Sequence, residues 1–255
     1  MKIVSFNLRC AWDKDGINSF LHRAGSILYK IDAEKPDVIA FQEGTEKNIE
    51  FLQRYLVDYT FIFQQREADL TGEGLCVALR KAEYNAVDAR IFWLSETPEV
   101  PGSRFAEQSR FPRICQCVTI KRTQDNAQFS IYNLHLDHIS DSARILGIRV
   151  ALEKIAEMNA ASPKPFFILG DFNARPESET ITYCNTYKPL PIVDMTAALP
   201  VSFHKYGDET AFRKIDYIYT DPKTAEKKWQ VCLWDDTADG IYLSDHYPIC
   251  RDIDL

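Results

Sequence analysis

The sequence predicts an α/β fold in which two β-sheets pack face to face and helices cover them from outside. Strand-like runs outnumber helix-like runs, yet the chain is neither purely β nor a strict alternation of strand and helix. No internal repeat and no Pro/Gly/Ser-rich linker divides the chain. With 255 residues, 45% of them hydrophobic, we expect one domain over residues 1–255 with a large core.

The N-terminal quarter is predicted to alternate strands and helices. Residues 2–8 alternate apolar and polar side chains, as a strand does, and "PDVIAFQE" at 36–43 is typical of a buried strand that follows a proline. Apolar residues at helical spacing predict a helix over 17–34, with an inward face of Ile17, Phe20, Leu21, Ala24, Leu28 and Ile31. Thr45 is the expected cap of a second helix to about residue 58, with Ile49, Leu52 and Leu56 inward.

Strands dominate the rest of the chain. They are predicted at 59–65, 74–80, 87–93, 113–121, 129–137, 166–170, 214–220, 229–234 and 247–253. One helix interrupts them at about 141–160, with Ile145, Ile148, Leu152 and Ile155 on its apolar face. Residues 95–112 and 196–213 are predicted to be long loops, which in compact domains are often functional.

Charge and cysteine content restrict the function. The net charge of −7 and the pI near 5.3 argue against a protein that grips duplex DNA through a broadly basic surface, and they suit a site of cation-binding carboxylates.

Seven cysteines without a CxxC spacing are expected to be reduced, mostly buried thiols. The start "MKIVSFNLRC" has no apolar signal region and no run reaches membrane-spanning length, so we expect a cytoplasmic protein without stable membrane insertion. No protein partner is evident.

The predicted strands end repeatedly in polar side chains that can bind a metal or transfer a proton. These are Asn7, Glu43, His135, Asp137, Asp171, Asn173, Asp216, Asp245 and His246. A buried charge costs several kcal/mol unless it is paired or binds a metal. The series therefore indicates a divalent cation and a phosphate. Oxygen ligands of this kind suit Mg²⁺ or Mn²⁺, which leaves the histidines free for acid–base chemistry.

Spacing within two of these strands adds to this interpretation. Residues two apart on a strand point to the same side, so Asp171 can act together with Asn173, and His135 with Asp137 if the strand continues that far. Simpler interpretations remain open. Asp171 and Asn173 are also compatible with an Asx turn, and Asn7 with a strand-end amide that satisfies backbone groups. A lone histidine is more often a satisfied core residue, which is the expectation for His22, His138 and His204.

Taken in order, the motifs resemble one family. They are "SFNLR", "DGINSFLHR", "PDVIAFQE", "GEG" (72–74), "FWLSETPEVPGS", "NLHLDH", "GDFNA", "KIDYIY" and "SDHYP", and they span residues 3–248. Together they resemble the endonuclease/exonuclease/phosphatase superfamily of DNase I-like metal-dependent phosphoesterases. The residues of these motifs resemble its bacterial branch more than the abasic-site repair enzymes. The resemblance implies a four-layer α/β/β/α sandwich of two mixed sheets, with the site at one end of the sheets.

The resemblance also implies roles for individual residues. Glu43 resembles the principal metal ligand, with Asn7 and Asp245 nearby. Asp171 and Asn173 resemble the pair that orients the attacking water and the phosphate. The acid–base dyad would be His246 held by Asp216, while His135 would contact a non-bridging phosphate oxygen and Glu73 would orient His135.

Substrate-binding residues are less constrained. Arg110 and Arg113, in a long loop, can grip a substrate phosphate or belong to a solvated surface. Trp12, Phe92 and Trp93 can stack on a base or sugar, although Phe92 and Trp93 are expected to divide between core and surface along a strand. Leu134 and the segment "SRFPR" (109–113) differ from the motif residues of the bacterial branch. Because of these differences, the resemblance does not determine the substrate.

The function expected from the sequence is hydrolysis of a phosphate ester by a metal-dependent, nuclease-like phosphodiesterase. The substrate could be a nucleic acid, a nucleotide, a lipid head group or a sugar phosphate. The first alternative is a phosphomonoesterase acting on a sugar, inositol or nucleotide phosphate. A second is a non-catalytic module that binds a phosphate ligand. A nucleotidyl transferase is disfavoured because the chain has no GxxxxGK[ST] loop.

Overall fold

The computed structural model describes residues 1–11 and 13–253, so Trp12 and any stacking by its side chain lie outside the described residues. The five α-helices among these residues are α1 (Phe20–Glu34), α2 (Glu46–Tyr55), α3 (Asp141–Ala161), α4 (Glu179–Thr186) and α5 (Pro222–Ala225). The strands are β1 (Lys2–Asn7), β2 (Val38–Gly44), β3 (Tyr59–Gln65), β4 (Gly74–Arg80), β5 (Tyr84–Trp93), β6 (Ile114–Arg122), β7 (Gln128–His135), β8 (Phe166–Asp171), β9 (Val193–Asp194), β10 (Asp216–Thr220), β11 (Trp229–Leu233), β12 (Thr237–Ala238), β13 (Ile241–Tyr242) and β14 (Ile249–Ile253).

Two six-stranded mixed sheets form the centre of the molecule. The first has the order β11-β14-β1-β2-β4-β3 and the second the order β5-β6-β7-β8-β10-β9, while β12 and β13 form a separate small pair. Each large sheet contains one parallel pair, β1 with β2 and β7 with β8, and its other pairs are antiparallel. Within each sheet, the carboxyl ends of the two parallel strands therefore lie next to each other.

Three apolar clusters show that the sheets form the inner two layers of a four-layer sandwich. In β1, Ile3 joins the cluster between the two sheets, whereas the next residue, Val4, joins the cluster under α1 and α2. In β8, Phe167 faces the other sheet and Phe166 packs toward α3 and α4. Because these strands are buried on both faces, they are nearly continuous apolar runs. The predicted α/β/β/α sandwich is confirmed.

The predicted face of the first helix is partly wrong. Phe20, Ala24 and Ile31 are buried as predicted, but Ile17 and Leu21 are 60% and 58% exposed. Arg23 takes an inward position instead and is fully buried, because its guanidinium donates to several backbone carbonyls, those of Leu8, Arg9, Asn18 and Leu243. A hydrophobicity pattern does not find a buried arginine that is satisfied by main-chain oxygens.

Other elements agree with the sequence or extend it. Thr45 caps α2 through a capping box with Asn48, and the predicted apolar faces of α2 and α3 are buried. The helices α4 and α5 and the two-residue strands were not predicted.

Both Phe92 and Trp93 are 5% exposed, so the prediction that they divide between core and surface is wrong. Both faces of β5 are covered at this point: Phe92 packs in the outer cluster, and the Trp93 indole N–H donates to the Arg66 carbonyl at 2.7 Å.

The cysteines are mostly buried, as the sequence predicts. All seven cysteines are free thiols, and Cys232 alone among them is more than slightly exposed. None of the helices in the described part of the chain combines the length and the apolar character that a bilayer crossing requires.

A polar contact joins the sheets inside the otherwise apolar layer between them. Asn133 of β7 is fully buried, and its Nδ2 donates to the Phe41 carbonyl of β2 at 2.9 Å. Its Oδ1 accepts a hydrogen bond of 2.8 Å from Gln42 Nε2. Because buried amides are costly unless they are hydrogen-bonded, this pair fixes how the two sheets are aligned.

We predict that Asn133→Ala destabilises the protein by about 1–3 kcal/mol, because it removes three cross-sheet hydrogen bonds and leaves a cavity. Urea unfolding would measure the loss. Asn85→Ala is the matched control: Asn85 is exposed on β5, and its replacement is expected to change stability by no more than about 0.5 kcal/mol. Equal stability of the two variants would contradict the proposed cross-sheet alignment.

Candidate active site

The chain ends of the central strands surround one cavity of about 530 Å³. Predicted site residues that line it are Glu43, Glu73, Arg110, Arg113, His135, Asp171, Asn173, Asp245 and His246. Asn7 and Asp216 are buried behind these residues, 1% and 3% exposed, and hydrogen-bond to them. The cavity lies where the carboxyl ends of both parallel strand pairs meet, which explains why residues distant in sequence converge.

Asn7 joins two acidic residues from different sheets. Its Nδ2 donates to Glu43 Oε1 and to Asp171 Oδ2, each at 3.1 Å, and its Oδ1 accepts the Arg9 backbone N–H at 2.9 Å. Asn7 thus presents its amide nitrogen to the carboxylates. Its predicted metal contact stays a prediction, whereas its contact with both acids is a feature of the structure.

Glu43 reaches the cavity because β2 is irregular there. The register of β2 against β4 shifts between Phe41 and Gly44, and Glu43 has a left-handed φ of 56°. Such bulges re-aim side chains next to functional sites. Burial tends to raise the pKa of Glu43, but the Cys10 N–H hydrogen bond and the charges of Arg9 and His246 outweigh it and lower that pKa.

Asp171 ends β8 at a point where the backbone needs a glycine. Gly170 has a φ of 139°, and a Cβ on it would lie 1.9 Å from the Leu134 carbonyl oxygen of β7. Asn173 follows with a left-handed φ of 49°, and its N–H donates to Asp171 Oδ1 at 2.8 Å. The two side chains therefore share the cavity through a turn. The prediction that Asp171 and Asn173 point to the same side of one strand is wrong, because β8 ends at Asp171.

A histidine–aspartate pair lies beside Asp171. His246 Nδ1 is 2.8 Å from Asp216 Oδ2, and Asp216 is directly opposite Asp171 in the β8–β10 ladder. Burial lowers the pKa of His246, but the charge and hydrogen bond of Asp216, together with Asp171, outweigh it and raise that pKa to about 10. Burial and the charge of Asp216 raise the pKa of Asp171.

His135 has the opposite electrostatic environment. Its Nε2 is 3.4 Å from Asp171 Oδ2, but burial and the positive charges of Arg113 and Arg66 lower its pKa well below 6.5. The two histidines near Asp171 are thus biased toward different protonation states. This difference between neighbouring titratable groups is a feature of acid–base sites.

The donor set fits a hard divalent cation. One ligand atom from each of Glu43, His135 and Asp171 lies within 4.8 Å of the others, and the same holds for Asp171, Asp216 and His246. Asp245 lines the same cavity, and burial and the charge of Glu43 raise its pKa. Several carboxylates facing one cavity repel each other, and a cation would relieve this repulsion.

The predicted loop residues have different environments. Arg110 lines the cavity and stacks on Phe111, 4.6 Å from the ring centre. Arg113 is 4% exposed, and its Nη2 donates to His138 Nδ1 at 2.9 Å. Burial and the charge of Arg66 lower the pKa of Arg113 to about 10. Both arginines therefore belong to the cavity wall.

Glu73 contacts an arginine. Arg66 Nη1 is 2.8 Å from Glu73 Oε2, and among the described residues the structure gives no hydrogen bond between Glu73 and His135. The predicted orientation of His135 by Glu73 is therefore not a feature of this geometry. Burial and the charge of Glu43 raise the pKa of Glu73.

Asp137 does not pair with His135 as the sequence suggested. The strand β7 ends at His135, and the Asp137 carboxylate accepts backbone N–H groups of Ser109, Ile139 and Ser140. Asp137 thereby fixes the loop that contains Arg110 and the start of α3.

Two of the three histidines assigned to the core are exposed. His138 lines the cavity, and His22 lies on the outer side of α1. His204 is fully buried as expected and stacks on Tyr247, with ring centres 3.8 Å apart.

Sequence reasoning missed several cavity-lining residues: Arg9, Arg66, Phe111, Phe203, Lys205 and Arg213. Arg213 stacks on Phe203 at 4.2 Å, and Arg66 stacks on Phe111 at 4.6 Å. These cations form a locally basic wall in an acidic protein. Phe111, Phe203, Lys205 and Arg213 lie in the two long predicted loops, whereas Arg9 and Arg66 lie outside them and had no signal of this kind.

Comparisons with known proteins agree with this architecture. The model of the Endonuclease/Exonuclease/phosphatase family matches residues 4–246. An endonuclease/exonuclease/phosphatase from Bacteroides vulgatus is 25% identical, with a TM-score of 0.88 and coverage of 100% of this chain and 98% of that one. A conserved protein of unknown function from Enterococcus faecalis is 30% identical, with a TM-score of 0.86 and coverage of 100% and 99%.

A sugar-phosphate enzyme is also similar in structure. The mannosyl-6-phosphatase Bt3783 of Bacteroides thetaiotaomicron is 24% identical, with a TM-score of 0.85 and full coverage of both chains. At this identity the likeness shows the fold alone. With the family model matched from the first strand to His246, the chain belongs to the endonuclease/exonuclease/phosphatase family.

Proposed function

We propose that this protein is a Mg²⁺- or Mn²⁺-dependent hydrolase of phosphate esters, with a phosphodiester as the first substrate class. The observation that carries the proposal is the convergence of Glu43, His135, Asp171 and the Asp216–His246 pair on one cavity. Glu43 and Asp245 are the residues that would hold the cation. When bound, the cation would neutralise charge that develops on the phosphate.

The protein groups divide the remaining chemistry. Asp171, with its raised pKa, accepts a proton from the attacking water, since a carboxyl group near neutrality is an effective general base. Asp216 holds His246 as an imidazolium, whose Nε2 lies 3.8 Å from Asp171 Oδ2 and can donate toward the ester. His135 and Asn173 donate hydrogen bonds to the equatorial phosphate oxygens.

The space around the cavity supports a diester. A second cavity of about 340 Å³ shares His138, Asn173 and Arg213 with the central one. On another side, a cavity of about 660 Å³ shares Arg66, Glu73 and Phe111 with it. A phosphate at the centre would have room for a substituent on either side, whereas a monoester requires room on one side. The arginines along this path suit further anionic groups of the substrate.

Hydrolysis of bis-p-nitrophenyl phosphate and p-nitrophenyl phosphate, compared side by side with Mg²⁺, Mn²⁺ or EDTA, tests the substrate class. We expect faster turnover of the diester, since only the diester uses both flanking cavities, and loss of turnover in EDTA. Turnover of the monoester alone would contradict the diester proposal and favour a phosphomonoesterase, the activity named for the structurally similar Bacteroides thetaiotaomicron protein. Turnover of neither ester would favour the non-catalytic binding module.

We predict that Glu43→Gln lowers metal-dependent turnover by at least about 100-fold, because it removes a charged ligand without changing side-chain size. A metal titration of the rate would show a higher concentration for half-maximal activity. Glu50→Gln, an exposed position on α2, is the matched control and should retain the full rate. An unchanged metal requirement in Glu43→Gln would exclude Glu43 as a ligand.

We predict that Asp216→Asn lowers the rate about 10²–10⁴-fold and moves the alkaline limit of activity to lower pH. The sign follows from the environment of His246: the charge of Asp216 raises the pKa of His246, so neutralising Asp216 lowers it. The imidazolium is then lost at a lower pH. Full pH–rate profiles would show the change, and Asp88→Asn on exposed β5 is the control. An alkaline limit that stays in place would refute the imidazolium role.

A further inference from the structure

A second group of possible metal ligands lies on the other side of Glu43. One atom each of Cys10, Glu43 and Glu73 lies within 4.8 Å of the others, and all three residues line the central cavity. The Cys10 side chain is buried, 3% exposed, and its sulfur has no hydrogen-bond partner among the described residues. The combination of a thiol with two carboxylates differs from the oxygen-rich set around Asp171.

The backbone holds these three side chains in place. The Cys10 N–H donates to Glu43 Oε2 at 3.0 Å, so the thiol is carried on the residue that also anchors the carboxylate. Arg23 fixes the preceding segment through the carbonyls of Leu8 and Arg9. Arg66 occupies one oxygen of Glu73, which leaves the other oxygen available to a ligand.

We propose that Cys10, Glu43 and Glu73 form a binding site for a thiophilic divalent cation of the Zn²⁺ and Cd²⁺ class. Thiolate sulfur favours such cations over Mg²⁺, which takes oxygen ligands, and zinc sites combine cysteine with carboxylates. Two carboxylates and a thiolate would supply three negative charges in a cavity wall that also contains Arg9, Arg66 and Arg113.

Binding at this site requires the thiol to lose its proton. The S–H bond of Cys10 breaks, a bond between sulfur and the cation forms, and the proton leaves to solvent. No oxidant or reductant takes part. One proton is therefore released for each cation that binds to the thiol.

The site shares Glu43 with the proposed catalytic metal site. A cation held by Cys10, Glu43 and Glu73 would draw Glu43 away from Asn7, the amide that also donates to Asp171. We expect Zn²⁺ to inhibit the Mg²⁺-dependent reaction through this competition, and this consequence rests on the proposed function.

Titration with Cd²⁺ tests the site through the near-ultraviolet thiolate-to-cadmium absorption band. The experiment uses the Cys232→Ser background, because Cys232 is the partly exposed thiol and lies opposite Cys250 in the β11–β14 ladder. We expect one tight equivalent of Cd²⁺ with the band and release of one proton. Adding Cys10→Ser should remove the band and weaken binding by at least about 10-fold.

Glu73→Gln provides a second variant that leaves the thiol intact. It should keep the band but weaken Cd²⁺ binding, because one anionic ligand is lost. A band that survives in Cys10→Ser, or no band in the parent protein, would overturn the proposal. Cd²⁺ affinity unaffected by Glu73→Gln would remove Glu73 from the site and overturn the three-residue proposal.

An activity measurement then tests the competition. Zn²⁺ added to the Mg²⁺-loaded enzyme should inhibit the parent protein, while Cys10→Ser should retain its Mg²⁺-dependent rate and require at least about 10-fold more Zn²⁺. Equal sensitivity of both proteins would refute the inhibitory role. Since the optical titration needs no hydrolysis, a failure of the proposed phosphoesterase function is distinguished from a failure of this metal site.

Discussion

The hydrogen bonds from one buried amide, Asn7, to two carboxylates are the contact on which the site depends. Glu43 comes from the first sheet and Asp171 from the second, and without a donor between them their charges would repel across the sheet interface. The orientation of this amide is fixed because its oxygen accepts the Arg9 N–H. The site is therefore a property of the sandwich as a whole, since each sheet supplies only part of the side chains that face the cavity.

The sheet topology explains why the chemistry lies at one end of the molecule. Each sheet has a parallel pair at its centre, and the carboxyl ends of the four strands carry Asn7, Glu43, His135 and Asp171. The strand β10 runs antiparallel to β8, and β14 runs antiparallel to β1, so the amino ends of β10 and β14 lie at the same edge. These ends add Asp216 and the segment with Asp245 and His246. The cross-sheet pair of Asn133 and Gln42 then fixes the alignment of the sheets behind the site.

Titratable side chains that are close together in the cavity have different electrostatic environments. Asp216 favours the charged form of His246, whereas the buried arginines favour the neutral form of His135. The same arginines make a basic wall in a chain with a net charge of −7, so the overall charge does not describe the surface that a substrate meets. Cys10 lies beside Glu43, so a thiol sulfur stands among the carboxylate oxygens of this cavity.

The sequence by itself determined the local structure and the chemical inventory. Alternating and helical apolar patterns located most strands and three main helices, and the motifs at strand ends identified Glu43, Asp171 and His246, since these signals depend on residue type and spacing. The tertiary structure decided which side chains meet. Asp137 supports a loop, Phe92 and Trp93 are both buried, Arg23 replaces apolar residues on α1, and Arg66 pairs with Glu73. These outcomes depend on contacts between segments distant in the chain, which neither a periodicity nor a local motif contains.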